Sequence, residues 1–197
     1  MKVQLEKIKH EIIGLRPIYT DTGNATVIYL RRGEAVDSRG MRSVMTALTR
    51  TYAIDLAAQH SQLQQRLQRQ VTMPFYLGAE RVFVPLKMRR PLAAKDSVYG
   101  YVDVSCMGEV HNGGQRTCRL QLLDGREIEI LSTRNTVEQR RVMGRSLLEM
   151  LQGERHTDPE EALMVDAAVQ LHRMFRVLER RLIHIEEMIA EGEEKYR

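Results

Sequence analysis

The sequence contains no tryptophan, only three phenylalanines and only two cysteines. Few aromatics mean a core filled mainly by aliphatic side chains and by eleven methionines, which adapt to irregular gaps. Cys106 and Cys118 make no disulfide framework; in a reducing compartment they are expected as buried free thiols. No stretch approaches the roughly 18 apolar residues needed to cross a bilayer, so no membrane partner is expected. The opening MKVQLEKIKHEIIG is charged and lacks a signal-peptide apolar segment, which predicts a cytoplasmic protein. A chain of 197 residues, 43% hydrophobic, suits one medium domain with an appendage, or two small ones.

Signatures of chemistry are missing as well. There is no glycine-rich phosphate loop; the NGG at Asn112–Gly114 reads as a turn. The six histidines show no metal-ligand spacing, and the cysteines stand too far apart for a CxxC pair. His184 lies on a charged helix face and reads as solvated, and His60 reads as a boundary residue of an apolar stripe. That His60 and Ser61 are adjacent does not make a base and a nucleophile, which is a spatial relation. Nothing in the sequence around Cys106 lowers its pKa. No catalytic residue, metal, cofactor or small-molecule substrate is expected, and the chain does not read as an enzyme.

What is abundant is arginine. The net charge is +4, but Thr157–Arg197 holds ten acids and six bases, so the preceding residues carry +8. A basic body with an acidic tail suggests a polyanionic partner for the body; an arginine-rich protein without such a partner is the plainer alternative.

The first 155 residues alternate strand and helix patterns. IIGLRPIY and ATVIYLRR flank the turn-rich TDTGN, which predicts two short strands. Asp37 and Ser38 can cap a helix through MRSVMTALTRTYA, where Met41, Val44, Met45, Leu48 and Tyr52 recur at helical spacing. A second helix follows in DLAAQHSQLQQRLQRQV, with Leu56, His60, Leu63, Leu67 and Val71 as its stripe. TMPFYL, ERVFVPL and SVYGYVDVSCM then read as strands. Pro85 makes its strand an edge strand or ends it. KMRRPLAAK is a basic loop, and TCRLQLL and REIEIL flank Asp124-Gly125, which predicts a hairpin with a two-residue turn.

The next helix begins in RNTVEQRRVMGR, Arg134–Arg145, with four arginines and one acid. Asn135 followed three residues later by Glu138 fits a capping box, with Asn in place of Ser or Thr. Val137, Leu147, Leu148 and Leu151 share a face, on which Gly144 permits close packing. Arg134, Arg141 and Arg145 project within about 40° of arc beside that stripe, while Arg140 points nearer the apolar side, where it would snorkel, pair with an acid or contact a ligand.

In the tail, TDPEEALM offers Asp158 as N-cap and Pro159 at the first helical position. Met164, Ala168, Leu171, Phe175, Leu178, Leu182, Ile185 and Ile189 continue at a 4-3-4-3 spacing, the seam of a coiled coil. A pairing helix and a long helix packed on its own domain both satisfy this pattern. The first makes Leu171, Phe175, Leu178, Leu182, Ile185 and Ile189 a self-association seam, since a long apolar stripe needs a cover.

Three basic groups lie at element ends or in a loop: Arg31-Arg32, the run Lys87–Arg90, and Arg134, Arg140, Arg141 and Arg145. Guanidinium groups suit phosphate and narrow minor grooves, so double-stranded DNA is the expected partner. Pairing of each arginine with a nearby acid is the alternative. RNA readers display aromatic platforms, for which only FY, VF and YGY are candidates; Tyr99 and Tyr101 would share a strand face.

The order of elements resembles the competence transcription factor (ComK) family of bacterial regulators. The similar pieces, over roughly residues 20–150 by element order, are the helix at MRSVMTALTRTYA, the pattern MPFYLGAERVFVPL, YGYVDVSCM, and above all CRLQLLDGREIEILSTRNTVEQRRVMGRSLL. The last has the family's strand, Asn/Asp-Gly turn, second strand, Asn-led helix start, Glu with Gln close behind, and Arg one turn on. The resemblance implies a regulator that binds A/T-rich boxes through the minor groove as a self-associated assembly. The Gln-rich DLAAQHSQLQQRLQRQ replaces the family's small-residue, Gly/Arg-containing run, and the heptad tail stands where the family's tails vary.

The expected architecture is therefore α+β: a mixed or antiparallel sheet with packed helices over residues 1–155, and a long C-terminal heptad helix over 156–197. The expected function is DNA binding and transcription regulation by a homodimer or higher homo-oligomer, with contacts from Arg89, Arg90, Arg134, Arg140, Arg141 and Arg145. The alternative is a non-catalytic protein-interaction or scaffold module acting through the C-terminal helix.

Overall fold

The computed structural model describes residues 2–67 and 72–156, of which 67 and 154–156 by backbone alone, and residues 167, 169–171 and 174. The chain forms two units, Met1–Gln152 and Gly153–Arg197. In the first, a short helix α1 (Leu5–Ile8) precedes a long hairpin of β1 (Ile12–Thr20) and β2 (Gly23–Leu30), then β3 (Glu34–Asp37). Helices α2 (Met41–Arg50) and α3 (Leu56–Leu67) lead into β4 (Phe75–Tyr76), β5 (Val82–Lys87) and β6 (Tyr99–Asp103). These six strands form one sheet in the order β3-β2-β1-β6-β5-β4, every pair antiparallel. A 3-10 turn, Val104–Cys106, leads to a second antiparallel sheet of β7 (Met107–Asn112), β8 (Cys118–Leu122) and β9 (Glu127–Ile130), followed by α4 (Arg134–His156). The class is α+β, with antiparallel sheets.

Alternation along the strands gives the larger sheet two apolar faces. Phe83 and Tyr101 lie on one, with Leu15, Ile28 and the α2 residues Met41, Val44, Met45 and Leu48. Their neighbours Val84 and Val102 lie on the other, with Leu120, Ile128 and Ile130 of the small sheet and Val137, Leu147 and Leu151 of α4. Gly144 lets α4 approach closely, because a Cβ there would stand 2.5 Å from Val84 and 3.1 Å from Val104.

Several local expectations change. Asp37 does not cap α2, whose N-cap is Gly40 without a side-chain bond. Asp37 is instead buried, accepting from Val3 N and pairing with Arg39 at 2.6 Å. Thr133, not Asn135, caps α4: its Oγ1 accepts from Thr136 N and its carbonyl from Val137 N. Its hydroxyl offers the capping geometry just before Arg134, and Glu138 turns to Arg141 instead.

The Asp124-Gly125 connection closes a hairpin, but Leu122 N bonds Arg126 O, so the loop has three residues, Leu123–Gly125. Only Gly125 has positive φ (86°), whereas the two-residue turn needs it at both central positions. Pro85 neither ends β5 nor stands on an outer strand. It pairs Tyr101 of β6, while β4 stops at the level of Phe83, so its other side is free of the ladder. The outer edge of β4 is closed by buried Gln59, whose amide donates to Tyr76 O and accepts from Tyr76 N, both at 3.0 Å, a cover that suppresses strand addition.

In the second unit, Ala167, Val169, Gln170, Leu171 and Met174 are helical and exposed. The other seam positions named from sequence, Phe175, Leu178, Leu182, Ile185 and Ile189, and the Asp158 cap lie outside the described residues.

Candidate nucleic-acid interface

The loop between β5 and β6 is drawn tight at its neck, where Met88 N and Arg89 N both bond Val98 O at 3.0 and 3.2 Å. Asp96 organises its tip. Its carboxylate accepts from Leu92 N (3.1 Å), Ala93 N (2.8 Å), Asn24 Nδ2 (3.2 Å) and the Tyr19 hydroxyl, and its own N–H bonds Ala93 O. The Tyr19 hydroxyl also accepts from Leu92 N at 2.8 Å. These donors, the Tyr19 hydroxyl foremost, hold the Asp96 carboxyl down to about 2. Pro91, Leu92, Ala93, Ala94 and Lys95 all face outward.

Arg89 does not. It is buried, donating to Ser97 O (2.9 Å), Ile18 O (2.9 Å) and Asn24 Oδ1 (2.7 Å), and its guanidinium lies 4.1 Å from the centre of the Tyr19 ring. At 7% exposure, with three of its five N–H donors spent on the protein's own oxygens, Arg89 serves as a structural brace between loop and hairpin in place of the contact expected from sequence. Arg90, one residue on, is exposed.

α4 sorts its arginines in the same manner. Arg141 pairs with Glu138 at 3.1 Å and donates to Gly108 O of β7; its side chain is 14% exposed. Although it shares a face with Arg134 and Arg145, β7 lies against it, and its direct contact with DNA is replaced by this inward pairing. Its buried Nε has no hydrogen-bond partner. Arg140 is half-buried and reaches Thr72 O at 3.4 Å. Arg134 and Arg145 are exposed, about 16 Å apart along the helix. Like those of Lys87, Arg90 and Lys95, their side chains make no hydrogen bond or ion pair among the described residues.

The two basic segments meet. Leu131 N donates to Lys87 O at 2.7 Å, so the last residue of β5 touches the segment that opens α4, three residues before Arg134. No acid stands in the first turn of α4, and its cap is an uncharged threonine. The third basic group lies elsewhere: Arg31 N bonds Glu11 O at the start of β1, whereas Tyr19 and the 88–98 loop lie at its far end.

Of the aromatic candidates for base stacking, Tyr76 and Tyr99 are half-buried and the other three are withdrawn into the core. Phe75 and Phe83 are fully buried and stack at 4.9 Å, and Tyr101 is 6% exposed and packs edge-on to Phe75. Burial pushes the Tyr101 hydroxyl up to about 12.

His60 lines a cavity of about 440 Å³ with Met41, Met45, Tyr99 and Tyr101. Its Nε2 is buried without a partner, and burial lowers its pKa. Cys106 and Cys118 are free and buried, and burial raises both thiols. Among the described residues no group of three or more His, Cys, Asp or Glu is placed to hold a metal ion, and no helix is long and apolar enough to cross a membrane.

Asp96, Tyr19 and Asn24 were not singled out from sequence. Asp96 gives one local signal, a carboxylate three residues after Ala93 in a loop, which can bond backbone amides; its bonds to Tyr19 and Asn24 span 77 and 72 residues. Comparison with known proteins yields no match to a family model, a curated protein or a solved structure.

Proposed function

We propose that the protein is a DNA-binding transcription regulator, in keeping with its ComK-like order of elements, and that it contacts an A/T-rich duplex through the minor groove and phosphate backbone as a homodimer or higher homo-oligomer. The observation that carries this reading is the group of unpaired cations at one end of the larger sheet. Lys87, Arg90 and Lys95 stand on and beside an ordered loop, and Arg134 opens a helix that has no acid in its first turn. The positive end of a helix dipole favours phosphate, and a slim basic loop suits a narrow, electronegative minor groove. Arg145 extends the track along α4, while Arg89 and Arg141 hold the two segments in shape.

Fluorescence anisotropy with an A/T-rich duplex tests this. Affinity should fall steeply with salt, with a logarithmic slope of roughly −0.9 per phosphate contacted, and a minor-groove ligand should compete. Arg90→Ala, Arg134→Ala and Arg145→Ala should each flatten that slope by about 1. Absent or salt-independent binding overturns the reading.

A protein-interaction module is the second reading. It is favoured by Val169, Leu171 and Met174, helical residues that are 45%, 57% and 63% exposed. Under that reading Leu171→Glu removes association with a partner protein while duplex binding is absent throughout. Under the first, the same variant lowers the mass seen by light scattering and weakens duplex binding.

A further inference from the structure

Leu92 is 81% exposed, the highest exposure among the described large hydrophobic residues. It stands at the tip of a loop whose backbone is tied down. Leu92 N meets both the Tyr19 hydroxyl and the Asp96 carboxylate, Ala93 N meets the same carboxylate, and buried Arg89 joins the loop to β1 and β2. A branched aliphatic side chain held this firmly has a stiff mounting and stands mostly in water. Its surroundings define what it fits. Pro91 precedes it, the small Ala93 and Ala94 follow, and Arg90 and Lys95 flank it, both exposed and without an acid partner. The single carboxylate of the loop, Asp96, is turned toward Tyr19 and the backbone amides.

An apolar tip between two free cations matches a base-pair step seen from the minor groove, with phosphates on either side. Apolar wedges such as Leu and Pro unstack such steps and kink the duplex toward the major groove. We infer that Pro91-Leu92 is a wedge that enters a base step from the minor groove and bends the bound DNA, while Arg90 and Lys95 hold the two backbones. This rests on the DNA-binding reading and adds to it a deformation of the duplex and the residue that causes it. The step entered should be a flexible pyrimidine–purine step, of which TA is the A/T-rich example.

The full-length protein is mixed with an A/T-rich duplex carrying end-to-end FRET labels, and with one carrying 2-aminopurine at a central TA step. Wild type should bend the first, by an angle in the roughly 20–90° range of wedge proteins, and raise the 2-aminopurine signal of the second. Leu92→Ala should remove most of both signals and weaken binding by about three- to tenfold, the size of a lost apolar contact of 1 kcal/mol or so. Its salt slope should not change, since no phosphate contact is lost. Leu92→Phe should restore the signals. Thermal unfolding of each variant should match wild type, because the side chain is largely exposed.

Two results separate the wedge from the reading beneath it. Wild-type binding to a straight duplex, or equal bending by Leu92→Ala, overturns the wedge and leaves DNA binding standing. No binding of wild type to any duplex overturns both. If wild type instead sediments with phosphatidylglycerol vesicles, Leu92→Ala does not, and neither bends DNA, the loop is a membrane contact and the proposal falls.

Discussion

The β5–β6 loop and the first three turns of α4 carry the same sequence feature, adjacent arginines, but brace themselves differently. In the loop, Arg89 is buried against neutral groups: two carbonyls, an amide oxygen and the face of Tyr19. In α4, Arg141 faces a carboxylate, Glu138, as well as the Gly108 carbonyl. Each region then exposes other cations, Arg90 and Lys95 in one, Arg134 and Arg145 in the other. The difference shows that a cluster of basic residues is not a charged surface until the fold has chosen which members become scaffold. A brace built from dipoles and packing responds to loss of shape, and one built on an ion pair responds to loss of charge.

The sharpest way to break the comparison is to remove the loop's brace. Arg89→Ala should cost about 2–4 kcal/mol in urea unfolding, since it leaves buried acceptors without donors. Arg89→Lys should recover only part, because an ammonium does not reproduce the planar fork or its stacking. Arg90→Ala, its sequence neighbour, should change stability by less than about 0.5 kcal/mol. Equal costs at the two positions would erase the distinction between scaffold and display.

On the α4 side, position can be perturbed apart from charge. Gly144→Ala introduces a methyl 2.5 Å from Val84 and should destabilise by about 1–3 kcal/mol as an overpacked core does. Unfolding like wild type would mean that α4 has room to shift.

A pH titration sharpens the loop's half. The Asp96 carboxyl is lowered to about 2 from an ordinary 3.8. Its stabilisation is therefore complete above pH 3.8 and lost as pH falls toward 2. NMR signals of the Leu92 and Ala93 amides should hold their positions at pH 4 and move with a midpoint near 2; a midpoint near 3.8 would separate them from Asp96. Asp96→Asn should shift both amides at neutral pH. The smallest effect is Glu138→Gln, which should cost less than about 1 kcal/mol because the amide oxygen still accepts from Arg141 and the Glu138 side chain is 35% exposed, with the loop's amide signals unmoved.

Much of the body was legible because its signals are local. The β1–β2 hairpin and the β8–β9 hairpin follow from apolar runs flanking turn residues, and α2 and α4 from apolar spacing with Gly144 on the packed face. β3 and β7 were not read. β3 has four residues, and β7 follows β6 after a three-residue 3-10 turn, so the run SVYGYVDVSCM looked like one strand. The candidate site was legible as a set of arginines but not in its sorting. Arg90, Arg134 and Arg145 are outward; Arg89 and Arg141 are not, and neither their spacing nor their neighbours distinguishes them.

The sequence by itself determined the β1–β2 and β8–β9 hairpins and the helical segments α2, α3 and α4 of the body, that the core is aliphatic, and that basic residues gather at element ends. These follow from periodicity, turn chemistry and composition, which act over a few residues. Only the tertiary structure decided which guanidiniums are enclosed, that Asp37 clamps the N-terminal segment, that Gln59 seals the β4 edge, and that Lys87 meets the start of α4. Each of those outcomes depends on a partner supplied from elsewhere in the fold: Arg89 finds Ile18 across 71 residues and Asp37 finds Val3 across 34. Burial makes such polar groups seek partners, and the partner exists only once the strands have paired.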